Sequence, residues 1–284
     1  MDKKHVLFKI KKISSVLSEP TIIVKINKII ARDNCTTEEL AKVVETDPGL
    51  STQVLRLANS SYYGLSRHVD TISRAVTVLG FNMVRDLTLT VSVFKVFAGG
   101  AKNTGLDAHG LWCHSLACAV AAKVLMGNIH SEEAQKAFMG GILHDVGKII
   151  ISNEFPKEQE QILAAVESGL FPSLLKAELS FLEMDHTSIG AEVAELWHFP
   201  RSLIEPIFHH HTPSKAKDSP GVVAAVHAGN EIAKALGLGK STSKDAVEIN
   251  SCVWEILGLT EAALPEINKE VQKNYELATE LINL

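Results

Sequence analysis

The chain has 284 residues, more than the usual single domain of about 100–150, so it can hold one large helical domain or two lobes sharing a core. Lys and Arg number 28 against 33 Asp and Glu, and the net charge of −5 argues against a dedicated nucleic-acid binder with its strongly basic stripe. A hydrophobic content of 46% with 21% charged residues excludes a disordered chain.

No apolar run reaches the ~18 residues of a membrane span, and no apolar segment with a cleavage site follows Met1-Asp2-Lys3-Lys4-His5. The expectation is a cytoplasmic protein with no membrane partner. Cys35, Cys113, Cys118 and Cys252 form no C-x-x-C pair, so reduced and mostly buried thiols are expected rather than a disulfide framework.

Apolar residues recur at helical spacing along the chain, and the fold class predicted is all-α. Val6, Leu7, Ile10, Ile13, Val16 and Leu17 mark a first helix, and Pro20 opens a second through Ile30. Thr36 and Glu39 form a predicted capping box ahead of Leu40, Val43 and Val44. Asp47-Pro48 restarts the pattern, since Asp caps and Pro suits the first helical position. Asn59 to Gly64 breaks it, either as a helix stop with two buried aromatics or as an inter-lobe element or partner surface. Helices follow over Ile72–Leu79 and Phe81–Phe97; the alternation in Thr88–Val93 is too short to outweigh its helical setting. Gly99 to Gly105 reads as a connector between an N-terminal lobe, 1–100, and a larger lobe, 101–284, the two expected to share apolar surface as one continuous domain. The larger lobe is predicted to hold helices near 106–127, 131–152, 156–168, 173–183, 186–197, 201–210, 219–236, 243–257 and 261–282. No repeat of 20–50 residues and no Gly-rich phosphate loop is present.

Six of the twelve histidines lie between His186 and His227. His144 and Asp145 interrupt the apolar stretch from Gly140 to Ile151. A buried imidazole and carboxylate require partners. They tie helices together by hydrogen bonds, or they hold a metal. His114 lies on a small-residue helix, His186 follows Asp185 at a helix start, His209-His210-His211 closes a helix, and His227 and Asn230 share another. Inward side chains from separate helices can converge on one metal, and imidazole with carboxylate suits Fe, Mn, Zn, Ni or Co. The triple histidine has a second reading, a cationic helix end favoured by the dipole. His68, His109, His130 and His198 read as surface or core histidines.

His114-Ser115 followed by His144-Asp145-x-Gly147-Lys148 resembles the HD superfamily of metal-dependent phosphohydrolases. Leu40-Ala41-x-Val43-Val44-x-x-Asp47-Pro48-x-Leu50, Leu55-Arg56-Leu57-Ala58-Asn59-Ser60 and Ile72-x-x-Ala75-x-x-x-Leu79-Gly80 resemble the HDOD family, the HD-related output domains of bacterial signalling. Asp185-His186-x-x-x-Gly190-Ala191, Trp197, Pro200 and His210-His211-x-Pro213 fit the same family. The resemblance runs from about residue 15 to about residue 240.

This resemblance implies metal ligands at His114, His144, Asp145, His186, His210 and His211, with a transition metal in one or two sites. Asn230 stands where the superfamily places its closing aspartate, and an amide ligates weakly and neutralises no charge. Lys148 matches a lysine that meets substrate phosphate in active relatives; alternatively it is a solvated lysine at a helix turn. Thr212-Pro213-Ser214-Lys215-Ala216-Lys217 lacks the Glu-containing, Gly-Tyr-Pro-bearing loop of the cyclic dinucleotide phosphodiesterases. The implied function is regulatory, acting through an unidentified signalling protein or a nucleotide or phosphate ligand. The other function implied is a metal-dependent phosphohydrolase acting on a nucleotide or other phosphoester.

Overall fold

The computed structural model describes residues 1–16, 25–26, 29, 36–60, 65, 67–81, 84–85, 87–89, 91–92, 105–127, 133–241 and 249–278. These form fourteen α-helices and two short 3-10 turns, with no strand among the described residues. The all-α expectation is met. The N-terminal helices are α1 (Lys3–Val16), α2 (Thr37–Glu45), α3 (Pro48–Ala58) and α4 (Ile72–Leu79). After them come α5 (Ala108–Gly127), α6 (Ala134–Leu143), α7 (Val146–Glu154), α8 (Pro156–Glu167) and α9 (Leu174–Leu182). The chain closes with α10 (His186–Leu196), α11 (Arg201–His209), α12 (Pro220–Ala235), α13 (Ser251–Leu257) and α14 (Leu264–Ala278).

Local chemistry sets these boundaries. Thr36 and Glu39 form the expected capping box of α2. The Asp47 carboxylate accepts from the Leu50 N–H at 2.9 Å and starts α3 behind Pro48. Asn59 ends α3 by a side-chain clasp, donating to Leu55 O and Val69 O and accepting from the Val69 N–H. The described part of Thr88–Val93 is helical. The Pro20–Ile30 helix (residues 25, 26 and 29 apart), the Ser61–Gly64 motif, Cys35, His130, and the connector before Gly105 lie outside the described residues.

α5 is the axis of the molecule, packing against α6, α12 and α14. By length and composition it is apolar enough to cross a membrane, which corrects the expectation that no such run exists. Its apolarity serves burial instead: residues Gly110 to Met126, Lys123 excepted, are all buried. Two of its neighbours meet it through glycine. A Cβ at Gly141 of α6 would stand 2.4 Å from Ala119 Cα, and one at Gly229 of α12 would stand 2.7 Å from Cys118 O. The last helix, α14, packs back on α5, as expected, with Ile267 and Val271 buried.

One hydrophobic cluster runs from Val6 through Trp112, Ile142 and Ile149 to Ile207 and Ala278. A second joins the far end of α5 to α12, α13 and α14. The predicted 131–152 helix is in fact two, α6 and α7, because His144 and Asp145 form a turn between them. The 243–257 helix is described only from Ser251, since 249 and 250 are not helical. That break between α6 and α7 is where the site is built.

Candidate metal centre

His144 and His210 use one local device. His144 Nδ1 donates to Gly141 O at 2.7 Å, and His210 Nδ1 donates to Ile207 O at 2.9 Å. Each ring thus satisfies a carbonyl at the end of its own helix. For His210 this fixes the tautomer that leaves Nε2 a free acceptor, and His144 reaches the same state when its Nε2 proton is lost. Both Nε2 atoms are buried and lack a hydrogen-bond partner. They face the same carboxylate: His144 Nε2 lies 3.3 Å from Asp145 Oδ2 and His210 Nε2 lies 3.8 Å from Asp145 Oδ1.

His186 approaches from the start of α10. Asp185 caps that helix through the Ser188 N–H at 2.8 Å. Glu178 of α9 accepts both the His186 backbone N–H at 2.9 Å and its Nδ1–H at 2.6 Å. His186 Nε2 therefore points inward, 3.5 Å from Asp145 Oδ1 and 3.2 Å from His211 Nε2. A carboxylate behind an imidazole orients the ring and raises its basicity toward a cation. This contact depends on Gly147, where a Cβ would fall 1.9 Å from His186 O.

His114, on α5, supplies the remaining wall. Its Nε2 donates to Asn230 Oδ1 at 2.8 Å and lies 4.0 Å from Asp145 Oδ2, while Nδ1 has no partner. Asn230 in turn donates to Glu231 Oε1 at 3.0 Å, which also accepts Lys234 Nζ at 2.8 Å. Two groups result, each with its ligand-type atoms within 4.8 Å of one another: His114, His144 and Asp145; and His186, His210 and His211. All six residues predicted from the sequence thus meet, with Asp145 shared between the two groups.

The centre is buried apart from His211, which is half-buried. His114 and His186 are 1% exposed, and His144, Asp145 and His210 are 0% exposed. Lys148, whose second reading was a solvated lysine, is buried, with Nζ 2.7 Å from Asp145 Oδ2. His227 stands outside the cluster as a strut, donating from Nδ1 to His210 O at 2.7 Å and accepting the Asn250 N–H at Nε2. His209 sits at the rim beside Thr212 Oγ1.

The electrostatics follow from burial. His114 is pushed down to about 3 by burial and then by the His144 charge beside it. His211 falls to about 2 through burial and then through His186. His210 lies well below the ordinary imidazole range, again through burial first and His211 second. Burial also opposes a charge on His144, but the Asp145 carboxylate overrides it and lifts that ring to about 10. Asp145, despite burial, is held well below the carboxylate range by the charges of His144 and Lys148. The pocket therefore sets the neutral imidazoles of His114, His210 and His211 around the Asp145 carboxylate, whose charge is already met by His144 and Lys148, so an added cation has to displace the His144 proton. Orphaned, buried Nε2 and Oδ1 atoms are costly without a partner, and this N/O donor set fits a transition metal.

Sequence reasoning missed Glu178 and Glu231. Both occupy positions where a surface helix ordinarily carries a solvated glutamate, and no local motif singles them out. Gly147 lies in the His144–Lys148 motif, and the sequence carries no sign of its role as a point of helix contact.

Comparison with known proteins settles the lineage. The sequence profile of the HDOD domain matches residues 16–213. The chain belongs to the HDOD family. A curated relative, an uncharacterized protein of Treponema pallidum strain Nichols, is 23% identical over 223 residues, 77% of this chain and 42% of its own length. The chain therefore spans less than half of that relative. An HDOD domain protein of unknown function from Geobacter sulfurreducens shares the fold at a TM-score of 0.75 and 23% identity, covering 95% of this chain and 98% of the other. A candidate phosphohydrolase from Shewanella amazonensis SB2B does so at 0.74 and 24%, covering 97% and 98%. At these identities the solved structures establish the HDOD fold.

Proposed function

We propose that this HDOD protein is a regulatory module whose HD-type pocket binds a transition metal as a structural or sensing element and has little turnover. The observation that carries this reading is the burial of the pocket's core. Five of its six ligand-type residues are buried, His211 being half-buried, and Lys148, the residue that resembles a phosphate contact, is committed to Asp145. A phosphoester substrate meets no exposed face of His114, His144, Asp145, His186 or His210.

Asn230 supports the same reading. Its amide oxygen is engaged by His114, where a carboxylate would add charge neutralisation. His144, Asp145, His186 and His210 would hold the metal, with His114 and His211 completing the two groups. When bound, a metal there polarises phosphate oxygen or lowers the pKa of water, as in metallohydrolases generally. Glu178 keeps His186 aimed, and the helix-end carbonyls keep His144 and His210 in the ligating tautomer. The output then passes by binding to another protein in the cytoplasm.

The second reading is a metal-dependent phosphohydrolase on a nucleotide or other phosphoester, supported by the intact six-residue set and by the name of the Shewanella neighbour. The experiment that separates them loads the purified protein with Mn, Fe, Co, Ni or Zn, measures stoichiometry, and screens phosphomonoesters and cyclic dinucleotides. Stoichiometric metal with negligible turnover is expected. Turnover at an enzyme-like rate of about 1 s⁻¹ or more, abolished in His144→Ala, replaces the regulatory reading with the hydrolytic one.

A further inference from the structure

A second cavity, of about 800 Å³, lies between α12, α13 and α14. Small-molecule sites typically enclose ~300–1,000 Å³. Of its described lining residues only His211 falls within the span matched by the HDOD profile; the rest come from His227 onward. The cavity thus belongs to helices that the family resemblance does not explain.

Its polar lining has one sign. Glu231 is 4% exposed, and its Oε2 has no hydrogen-bond partner. The other oxygen is fully occupied by Lys234 and Asn230. Asn268 Oδ1 is a second buried acceptor without a donor. A buried acceptor left unsatisfied is costly, and a ligand N–H relieves that cost. His227 offers nothing further, since both its ring nitrogens are taken. No Lys or Arg is among the described lining residues, whereas Glu261 is. Among these residues a phosphate would meet carboxylates without a cation to balance it. The remaining wall sets the apolar Trp254, Ile249 and Leu264 beside Asn250 and Ser251.

We propose that this cavity binds a small amine-bearing aromatic heterocycle of nucleobase or nucleoside size, without phosphate, whose amino group donates to Glu231 and whose ring packs on Trp254. Aromatic packing supplies the area and the buried acceptors supply the orientation. His211 lines this cavity and also touches His186, so an occupant borders the metal centre without entering it. The inference does not depend on metal being bound.

The test uses the full chain with adenosine, AMP and inorganic phosphate as probes, followed by tryptophan fluorescence and thermal shift, with metal content measured on the same samples. Saturable adenosine binding is expected, with AMP at least about tenfold weaker because its phosphate meets only acidic groups, and with no response to inorganic phosphate. Trp254→Ala should weaken adenosine about tenfold or more, Trp254→Phe should restore most of that, and metal content should not change in either. Asn268→Ala gives a second, milder loss and covers the case in which Glu231→Gln disturbs the Lys234 pairing and fails to fold. Absence of saturable adenosine binding below about 1 mM, AMP binding as tightly as adenosine, or indifference to Trp254→Ala overturns the proposal. Adenosine binding to protein that takes up no metal overturns the metal reading alone.

Discussion

Asn230 carries the sharpest consequence of a single atom. Its Nδ2 donates to Glu231 Oε1, and its Oδ1 accepts from His114. Asn230→Asp replaces that donor with an oxygen facing a carboxylate, so without metal the variant should be less stable than wild type, by about 1–3 kcal/mol for a repelled, unsatisfied buried group. With metal the sign reverses, because the new carboxylate neutralises cation charge beside His114. Metal affinity should tighten, by about 10–100-fold if it follows the scale of other changes around ligand shells. Chelator competition and thermal melts with and without metal check both halves. Equal affinity in the two proteins would remove Asn230 from the metal's surroundings. Glu178→Gln is the companion change on the other wall, since it keeps an acceptor for His186 but removes its charge; metal affinity should drop by about tenfold or more.

At the scale of elements, the centre exists because helices stop where they do. α6 ends in a turn, so His144 and Asp145 leave the helical register and face a common point with α10 and α11. The histidines were legible in the sequence because each interrupts an apolar run or sits at a helix end beside a cap. The break at 144–145 was not legible, because Ile142 to Ile151 keeps helical apolar spacing across it; side-chain capping of the Gly141 carbonyl overrides the periodicity. Gly147 holds α7 against α10, and its substitution tests that contact. In Gly147→Ala the new methyl collides with the His186 carbonyl. The helices must separate, with a loss of about 1–3 kcal/mol or more for overpacking and a fall in metal content as His186 is displaced. Gly169→Ala is the control, strained only by its φ of 76° with open space around it. It should lose about 1–2 kcal/mol of stability and keep its metal. Urea denaturation with elemental analysis of both variants decides; wild-type metal content in a folded Gly147→Ala protein would refute the role given to that contact.

Across the whole molecule, the all-α class was readable from periodicity, and the six-residue set from the family resemblance of the motifs. The supporting carboxylates and the cavity under Trp254 were not, since they depend on how helices beyond the family match fold back on α5. That packing also sets how the protein responds to acid. His114, His210, His211 and His227 all have folded pKa values lowered, chiefly by burial. For such groups the unfolded chain takes up protons below its ordinary value of about 6.5, while the folded chain resists them. Their contribution is therefore complete above pH 6.5 and is lost as pH falls toward the folded values, about 3 for His114 and about 2 for His211. His144 has the opposite sign: raised to about 10 beside Asp145, it contributes fully below pH 6.5 and fades as pH rises toward 10. Asp145, lowered, contributes above the ordinary carboxylate value of about 3.9 and is lost in stronger acid. Several buried imidazoles act on the acid side and one on the alkaline side, so the stability of chelator-treated protein should peak close to neutrality. The acid limb should be steep, with more than one proton taken up on unfolding, each worth about 1.4 kcal/mol per pH unit, and the alkaline limb shallow. Urea midpoints from pH 5 to 9 read this directly, and His211→Gln should flatten the acid limb by close to one proton. A midpoint that stays level between pH 7 and pH 5 would show that these rings take up protons while folded, and the neutrality of His114, His210, His211 and His227 would have to be abandoned.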